Sequence, residues 1–201
     1  MLLLLVIICV TGFVFGQSDE QRQAMDLVRK NQSSIGLSDA DISNAIVSDT
    51  YVNKTSGTRL VYLQQTYLGI PVYNQIHVLS FKNGKLVYQS GGRISSMDKK
   101  VNNRDGVPSI YAETAVHAAL ADRKLFPTKA AMVSRSEVNG HFIEFNDMGV
   151  SREPITARLM WVPTDDHSVK LAWLVYVIPV TSSDYWMIRV DAGNKRILGM
   201  D

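Results

Sequence analysis

The residue types that most often carry out catalysis or bind metals are few and widely separated in this chain. Its four histidines are His77, His117, His141 and His167. None of them starts a His-Glu-x-x-His pattern, in which two histidines one helical turn apart bind zinc and the glutamate acts as general base. No serine lies in a Gly-x-Ser-x-Gly elbow. We therefore predict no catalytic residue, no cofactor-binding residue and no metal ligand.

The closest groupings of acids with histidine have structural explanations. His141 precedes Glu144 on a predicted strand. His167 follows two aspartates at a predicted hairpin tip, where a solvated turn accounts for all three residues. His117 lies beside the apolar face of a predicted helix and has no second ligand at i+4, so we expect it at the surface or its boundary.

The single cysteine, Cys9, lies in an apolar N-terminal segment. The apolar run in residues 1–16 is too short to cross a bilayer, which takes about 20 residues. The segment predicts a secretory signal peptide cleaved after Gly16. A retained anchor is the alternative, because no Lys or Arg follows Met1. Cleavage after Gly16 would leave an extracellular mature chain without membrane association. It would also have no disulfide, no reactive thiolate and no cysteine ligand for zinc.

Charge gives no indication of nucleic-acid binding. Lys and Arg number 21 and Asp and Glu number 19, for a net charge of +2. The basic residues are scattered along the chain, whereas nucleic-acid-binding proteins concentrate them on one face. Hydrophobic residues make up 46% of the sequence, which is sufficient for a core without disulfides.

The stretch from Thr58 to Gly92 predicts an antiparallel meander. Leu60–Thr66 is rich in apolar, β-branched and aromatic residues, as strands are. Gly69 and Pro71 interrupt the pattern and predict a bend. A second strand, 72–81, leads to Asn83-Gly84, the strongest short hairpin signal, and a third strand returns over 85–89.

The same stretch resembles the fungalysin/thermolysin propeptide (FTP) domain. The resemblance rests on the sequences QQTYLGIPVYN and FKNGKLV. The matching positions are Gln64, Gln65, Thr66, Tyr67, Gly69, Pro71, Val72 and Gly84, and Tyr62, three residues before Gln65, is similar to the fungalysin-type members.

The flanking sequence predicts further elements on both sides. A helix is expected over 18–30, a short helix capped by Ser38 with Ile42 and Ile46 as anchors, and a strand over 48–53. The polar stretch 97–108 is a candidate linker. After it we predict a helix capped by Ser109 and running to about Lys124, then strands. The predicted strands are 141–145, 155–162, 170–179, 185–190 and 196–200.

Two segments of this second half extend the resemblance. ITARLMWVPTDDHSVKLAWLVYV is similar to the fungalysin propeptide pattern, and YWMIRVDAGNKRIL resembles the closing strands of a PepSY-like domain. The positions that match are Trp161, Leu171, Trp173, Trp186 and Asp191. The final turn departs from the family, and Asn194 is expected to supply its left-handed residue.

The resemblance implies an α+β fold with two cystatin-like or PepSY-like subdomains, each a helix packed on an antiparallel sheet. Their expected bounds are 17–96 for the FTP subdomain and 109–201 for the PepSY-like one. It also implies that the chain is the propeptide of a secreted fungalysin-like zinc metallopeptidase zymogen. Such a propeptide assists folding of the catalytic domain and inhibits it. The partner would be the catalytic domain, in cis or in trans, and zinc would be held only there. The alternative is a stand-alone secreted inhibitor or binding module.

The aromatic residues have two candidate roles. Trp161, Trp173 and Trp186 lie on predicted strands, where packing in the core or on the sheet is favoured over a sugar-stacking or interface role. Tyr62, Tyr67 and Tyr73 fit equally well a core or a contact surface for a partner. Two N-glycosylation sequons, at Asn31 and Asn53, matter only in a eukaryotic secretory pathway.

Overall fold

The computed structural model describes residues 18–201. The predicted signal peptide, 1–16, and its Cys9 lie outside the described residues. The helices are α1 (Asp19–Lys30), α2 (Gln32–Ile35), α3 (Asp39–Ser43), α4 (Met97–Lys100) and α5 (Ala112–Asp122). The strands are β1 (Ala45–Asn53), β2 (Thr58–Tyr67), β3 (Ile70–Lys82), β4 (Lys85–Gly91), β5 (Val133–Ser136), β6 (Phe142–Phe145), β7 (Ile155–Pro163), β8 (Val169–Val177), β9 (Trp186–Asp191) and β10 (Ile197–Met200).

The two N-terminal helix starts are set locally by capping residues. The Ser18 side chain accepts from the Gln21 backbone N–H, and Gln21 reaches back to the Ser18 backbone N–H. Ser38 and Asp41 form the same reciprocal pair at α3. Such capping boxes satisfy N–H groups that a helix leaves free, and both helices were predicted at these positions.

Strands β1 to β4 form the predicted antiparallel meander. At the β3–β4 turn both Asn83 (φ 52°) and Gly84 (φ 76°) adopt positive φ, as a type I′ hairpin requires. The bend before β3 lies at Leu68 and Gly69, which also have positive φ. Pro71 is inside β3, opposite Thr66, and is not part of the bend.

Ile46 is not an anchor of the short helix, contrary to the sequence expectation. It is exposed, because β1 begins at Ala45 and places it on the opposite face of the sheet from the apolar core. The core that packs under α1 comprises Ala24, Met25, Val28, Ile35, Leu37, Val47, Val61, Leu63, Leu79 and Phe81.

The second half packs α5 against β7, β8 and β9. The predicted apolar face is confirmed, with Ala112, Ala115, Val116, Ala119 and Leu120 all buried. Ser109 does not cap this helix. The backbone N–H groups of Ser109 and Ile110 both donate to the carbonyl of Ala192, and α5 begins only after Tyr111.

Three further details differ from the sequence prediction. In the β9–β10 turn Lys195, not Asn194, has positive φ (62°), and the Asn194 side chain accepts from the Arg196 N–H. Helix α2 and strand β5 carry no strong periodic signal and were missed. The polar stretch 97–108 begins with helix α4 and a buried Met97, and its Asn102 side chain accepts from the Leu171 N–H.

The strands form one large, mostly antiparallel sheet, so the fold is α+β, and the division into two helix-on-sheet subdomains stays a prediction. Strand β3 is shared: it pairs antiparallel with β2 and β4, and Val72 pairs parallel with Trp161 of β7. Two clusters of buried residues lie along this sheet, one including α1 and one including α5. Within residues 18–201 no helix is long and apolar enough to span a membrane.

Candidate functional site

A bulge in β3 lies where the two parts of the sheet meet. The β2–β3 register passes from Thr66 opposite Pro71 to Gln64 opposite Ile76, so β3 carries extra residues there. Asn74, within the extra residues, has a φ of 54°. Bulges bend a strand and leave backbone groups unpaired. These groups need other partners.

The Gln64 side chain supplies those partners. Its amide nitrogen lies 2.8 Å from the carbonyl oxygen of Val72, 3.1 Å from that of Gln75 and 2.9 Å from that of Gln65. One side-chain amide therefore serves three backbone carbonyls around the bulge. A glutamine is suited to this position because it offers two N–H donors on a side chain without charge.

Gln65 fixes the segment that follows β4. Its amide nitrogen donates to the carbonyl of Ile94 at 2.7 Å, and its oxygen accepts from the Ile94 N–H at 2.9 Å. The neighbouring Thr66 is buried, and its N–H donates to the carbonyl of Asn44, just before β1. The matched residues of QQTYLGIPVYN thus hold the chain together around the bend.

Replacing Gln64 by leucine is expected to lower the free energy of unfolding by about 2–3 kcal/mol. The change places a branched aliphatic side chain at this position and removes the donors, and an unsatisfied buried carbonyl costs about 1–3 kcal/mol. Chemical denaturation measures the effect. Gln75→Leu is the matched control, because the Gln75 side chain has no hydrogen bond to the described protein. Equal losses in the two variants would contradict the role given to Gln64.

Trp161 joins the two parts of the sheet. Its side chain is fully buried, and its Nε1–H donates to the carbonyl of Tyr67 at 2.8 Å. The Tyr67 ring meets it edge-on, with ring centres 5.7 Å apart. Tyr67 therefore packs against the second core, which fits the core role among its two predicted roles.

The other matched residues of the second half also lie at structural positions. Trp173 is buried and donates from Nε1 to the carbonyl of Ile110 at 3.0 Å. The Asp191 carboxylate accepts from the Gly193 N–H at 2.8 Å in the β9–β10 turn. Leu171 is buried on β8, and Trp186 is half-buried with the Arg123 guanidinium 5.1 Å from its ring centre.

A polar cleft opens beside the bulge, with a volume of about 520 Å³. Within it, Arg189 donates to the Asp201 carboxylate at 2.6 Å and to the Tyr73 hydroxyl at 3.0 Å, and Tyr73 donates to Asp201. Burial and the hydrogen bond to Asp201 raise the pKa of Tyr73. The hydrogen bonds from Tyr73 and from Arg189 lower the pKa of Asp201. The cluster joins Asp201 to Arg189 of β9 and to Tyr73 of β3.

The face of β1–β4 opposite α1 is open and carries several apolar side chains, with Asp49, Gln64 and Ser80 among them. Successive side chains of a strand point to opposite faces of the sheet. In β1–β4, the residues that alternate with those of the core under α1 form rows across the open face. We define the open face as Ile46, Tyr51, Leu60, Tyr62, Ile76, Val78 and Tyr88. Four of these seven side chains, Ile46, Tyr51, Ile76 and Tyr88, are exposed, and the others are half-buried.

Tyr62 lies near the middle of the open face. Its ring stacks on Tyr51 with centres 6.2 Å apart. A hydrogen bond with the Tyr51 hydroxyl raises the pKa of Tyr62, so the Tyr62 ring is neutral at physiological pH. A row of neutral aromatic and aliphatic side chains on a sheet is suited to covering by another protein, and large exposed apolar patches mark such interfaces.

On the opposite side of the same strands, a small cavity of about 20 Å³ has His77, Arg93 and Asp41 among its lining residues. Arg93 Nε lies 2.8 Å from the Asp41 carboxylate. Burial, followed by the nearby Arg93 charge, lowers the pKa of His77. His77 is therefore neutral at pH 7, and the group connects α3 to the segment after β4.

The remaining candidate polar residues are separated from one another. His117 is exposed near Glu113, as expected. His141 is half-buried, and burial lowers its pKa. Hydrogen bonds from the Gly149 N–H and from Lys129 lower the pKa of Asp147, and His167 is exposed in the β7–β8 turn. Across residues 18–201 no three His, Cys, Asp or Glu side chains are grouped as metal ligands would be.

Taken together, the described part of the chain is an α+β protein with an open apolar sheet face and no assembled catalytic group. Residues 44–94, which comprise β1 to β4 and the bend, match the family Fungalysin/Thermolysin Propeptide Motif. The predicted resemblance to this family is confirmed for that stretch of the chain.

The chain was also compared with solved structures and with curated protein sequences. The chain is similar to a solved structure, the Bacillus megaterium YpeB C-terminal domain, with a TM-score of 0.40 and 12% sequence identity. The alignment covers 94% of this chain and 67% of that one. No curated protein sequence matches the chain.

Sequence reasoning missed two parts of this arrangement. The bulge and its filling by Gln64 were not predicted, although the matched Gln64 and the turn-forming Asn74 were both present as signals. The open face was represented only by Tyr62. Both faces of β2 and β3 carry apolar residues, a pattern typical of strands that are covered on both sides. This pattern could have revealed the open face as a surface suited to being covered by a partner.

Proposed function

We propose that this chain is the propeptide region of a secreted, fungalysin-like zinc metallopeptidase. It would bind the catalytic domain, assist its folding and keep it inactive until the propeptide is removed. The observation that carries the proposal is the FTP match of residues 44–94. The family is named for the propeptides of fungalysin and thermolysin. A propeptide acts on a catalytic domain, which is its partner in cis or in trans.

The two clusters of buried residues support a division into two units. One cluster lies under α1 and the other under α5. We propose that 17–96 is the FTP subdomain and 109–201 a PepSY-like subdomain, with 97–108 connecting them. We also propose that 1–16 is a cleaved signal peptide, that the protein is extracellular and that zinc is held by the catalytic domain alone.

We propose that the catalytic domain covers the open face. Its aromatic residues are typical of the buried centre of an interface. Inhibition by a cysteine ligand to zinc is not possible for a mature chain without cysteine. The remaining mechanism is coverage of the active-site cleft by a broad surface, which for a stable complex buries about 1,200 Å² or more in total.

Inhibition measured in trans tests both the function and the surface. The chain is added to a mature fungalysin-like zinc peptidase, and the inhibition constant is determined for each variant. Tyr62→Ala is expected to raise the constant by about tenfold or more, since a central aromatic contact contributes 2 kcal/mol or more. Single changes at His141, Asp147 or His167 should each raise it less than about fivefold.

Tyr111→Ala is the matched control, because Tyr111 is a highly exposed tyrosine outside the open face. Failure of the unmodified chain to inhibit would reject the propeptide function. Inhibition that Tyr62→Ala and Tyr111→Ala weaken equally would reject only the surface. A thousandfold effect of one polar residue, without unfolding, would show that a single zinc-directed side chain carries the inhibition. Sequencing past codon 201 tests the cis arrangement, in which an in-frame His-Glu-x-x-His is expected.

A further inference from the structure

The two N-glycosylation sequons of the chain lie in different surroundings. One is Asn31-Gln32-Ser33, between α1 and α2, and the other is Asn53-Lys54-Thr55, at the end of β1. An asparagine in this pattern is modified on its side-chain nitrogen, Nδ2. The glycan is bulky and hydrophilic and requires a surface position. The hydrogen bonds of each Nδ2 therefore decide which sequon is compatible with the fold.

The Asn31 side chain is a structural part of the fold. Its Nδ2 donates to the carbonyl of Leu27 at 2.9 Å and to that of Gly84 at 3.0 Å, and its Oδ1 accepts from the Leu86 N–H at 3.3 Å. The side chain therefore joins the end of α1 to the β3–β4 turn. A sugar on Nδ2 would replace one of its two hydrogens and separate the helix from the turn.

The Asn53 side chain has the opposite arrangement. Its Oδ1 accepts from the N–H groups of Thr55 at 3.0 Å and Ser56 at 3.2 Å, which closes the β1–β2 turn. Its Nδ2 makes no hydrogen bond to residues 18–201. Residues 53–57 are all exposed at the tip of this hairpin. Modification of Nδ2 leaves both bonds to Oδ1 intact.

We infer that Asn53 is an N-glycosylation acceptor and that Asn31 is not modified in the folded protein. The inference rests on the secretion included in the proposed function, by way of a eukaryotic secretory pathway. In the reaction Nδ2 forms a bond to C1 of the first sugar of a lipid-diphosphate-linked oligosaccharide. The bond between C1 and the diphosphate oxygen breaks, the lipid diphosphate leaves with the electron pair, and the amide proton passes to a base of the transferase.

The test is expression of the full chain in eukaryotic cells, with peptide mapping of the secreted protein before and after enzymatic removal of N-glycans. The expected result is a glycan at Asn53 and none at Asn31. Thr55→Ala should lower the mass by one oligosaccharide while keeping Asn53 itself. Ser33→Ala, the matched control, should leave the mass of the glycan unchanged. A glycan at Asn31, or a secreted chain with Asn53 unmodified, would overturn the inference.

A second arm separates this inference from the proposed secretion. The chain is also produced behind a well-characterised secretion leader in place of residues 1–16. If only this version is secreted, the signal-peptide proposal fails, and the glycan map of the secreted protein still decides between Asn31 and Asn53. The Thr55→Ala and Ser33→Ala variants are compared in both arms.

Discussion

Replacing Trp161 by alanine is expected to lower the free energy of unfolding by about 3–5 kcal/mol. Removal of a fully buried tryptophan leaves a cavity, and such changes typically cost this much. The change also leaves the Tyr67 carbonyl without its donor at 2.8 Å. Because Trp161 contacts residues of β2 and β7, hydrogen exchange should increase in both strands.

Two variants show whether the cavity or the lost hydrogen bond dominates. Trp161→Phe keeps most of the apolar volume but removes the donor, and should cost about 1–3 kcal/mol. Trp186→Ala removes the same side chain from a half-buried position and should cost about 1–2 kcal/mol. If Trp161→Ala costs no more than Trp186→Ala in chemical denaturation, Trp161 does not join the two parts of the sheet.

Replacing Trp173 by alanine is the second change with a large expected effect, again about 3–5 kcal/mol. Trp173 is only 2% exposed, as its position on a predicted strand had suggested, and it donates to the Ile110 carbonyl. Its contacts belong to the core under α5. Protection from hydrogen exchange should therefore fall in β8 and β9 more than in β1 and β2.

The measurement is a denaturant melt followed by exchange at individual amides. A loss below about 1 kcal/mol would mean that the Trp173 side chain is exposed in solution and would restore the interface role considered for the tryptophans. Equal exchange effects of Trp161→Ala and Trp173→Ala on β2 would show that the two cores unfold as one unit.

Elements that depend on neighbouring residues could be predicted from the sequence. The Asn83-Gly84 turn, the capping pair at α3 and the apolar face of α5 each need only a few adjacent positions. Their physical causes are positive φ, reciprocal capping bonds and helical spacing. Strand ends were displaced by a few residues, because pairing with a neighbouring strand, and not the apolar pattern alone, decides where a strand begins and ends.

One wrong prediction and one missed feature involve bonds to distant parts of the chain. Ser109 was expected to cap α5, but the Ala192 carbonyl accepts its N–H and holds it outside the helix. The bulge in β3 depends on the amide of Gln64 in another strand. Neither partner can be inferred from local spacing, since each lies on an element whose position is set by the tertiary fold.

The candidate site was predicted only in part for a related reason. The family resemblance supplied Gln64, which holds the bulge, Gln65, which fixes the segment after β4, and Gly69 of the bend. A binding face, in contrast, consists of single residues from several strands and has no continuous motif. Only the pairing of the strands shows that Tyr51, Leu60 and Tyr88 lie in one row.

The shared strand β3 has a consequence for the order of folding during synthesis. The hydrogen bond from Trp161 to Tyr67 joins residues 94 positions apart, and such distant contacts form slowly because a long loop must close first. Strands β1–β4 leave the ribosome before β7 and can pair through short turns. We therefore expect β1–β4 to fold first and β7 to pair in parallel with the already formed β3. The core under α5 would then form against a sheet that β1–β4 have already established.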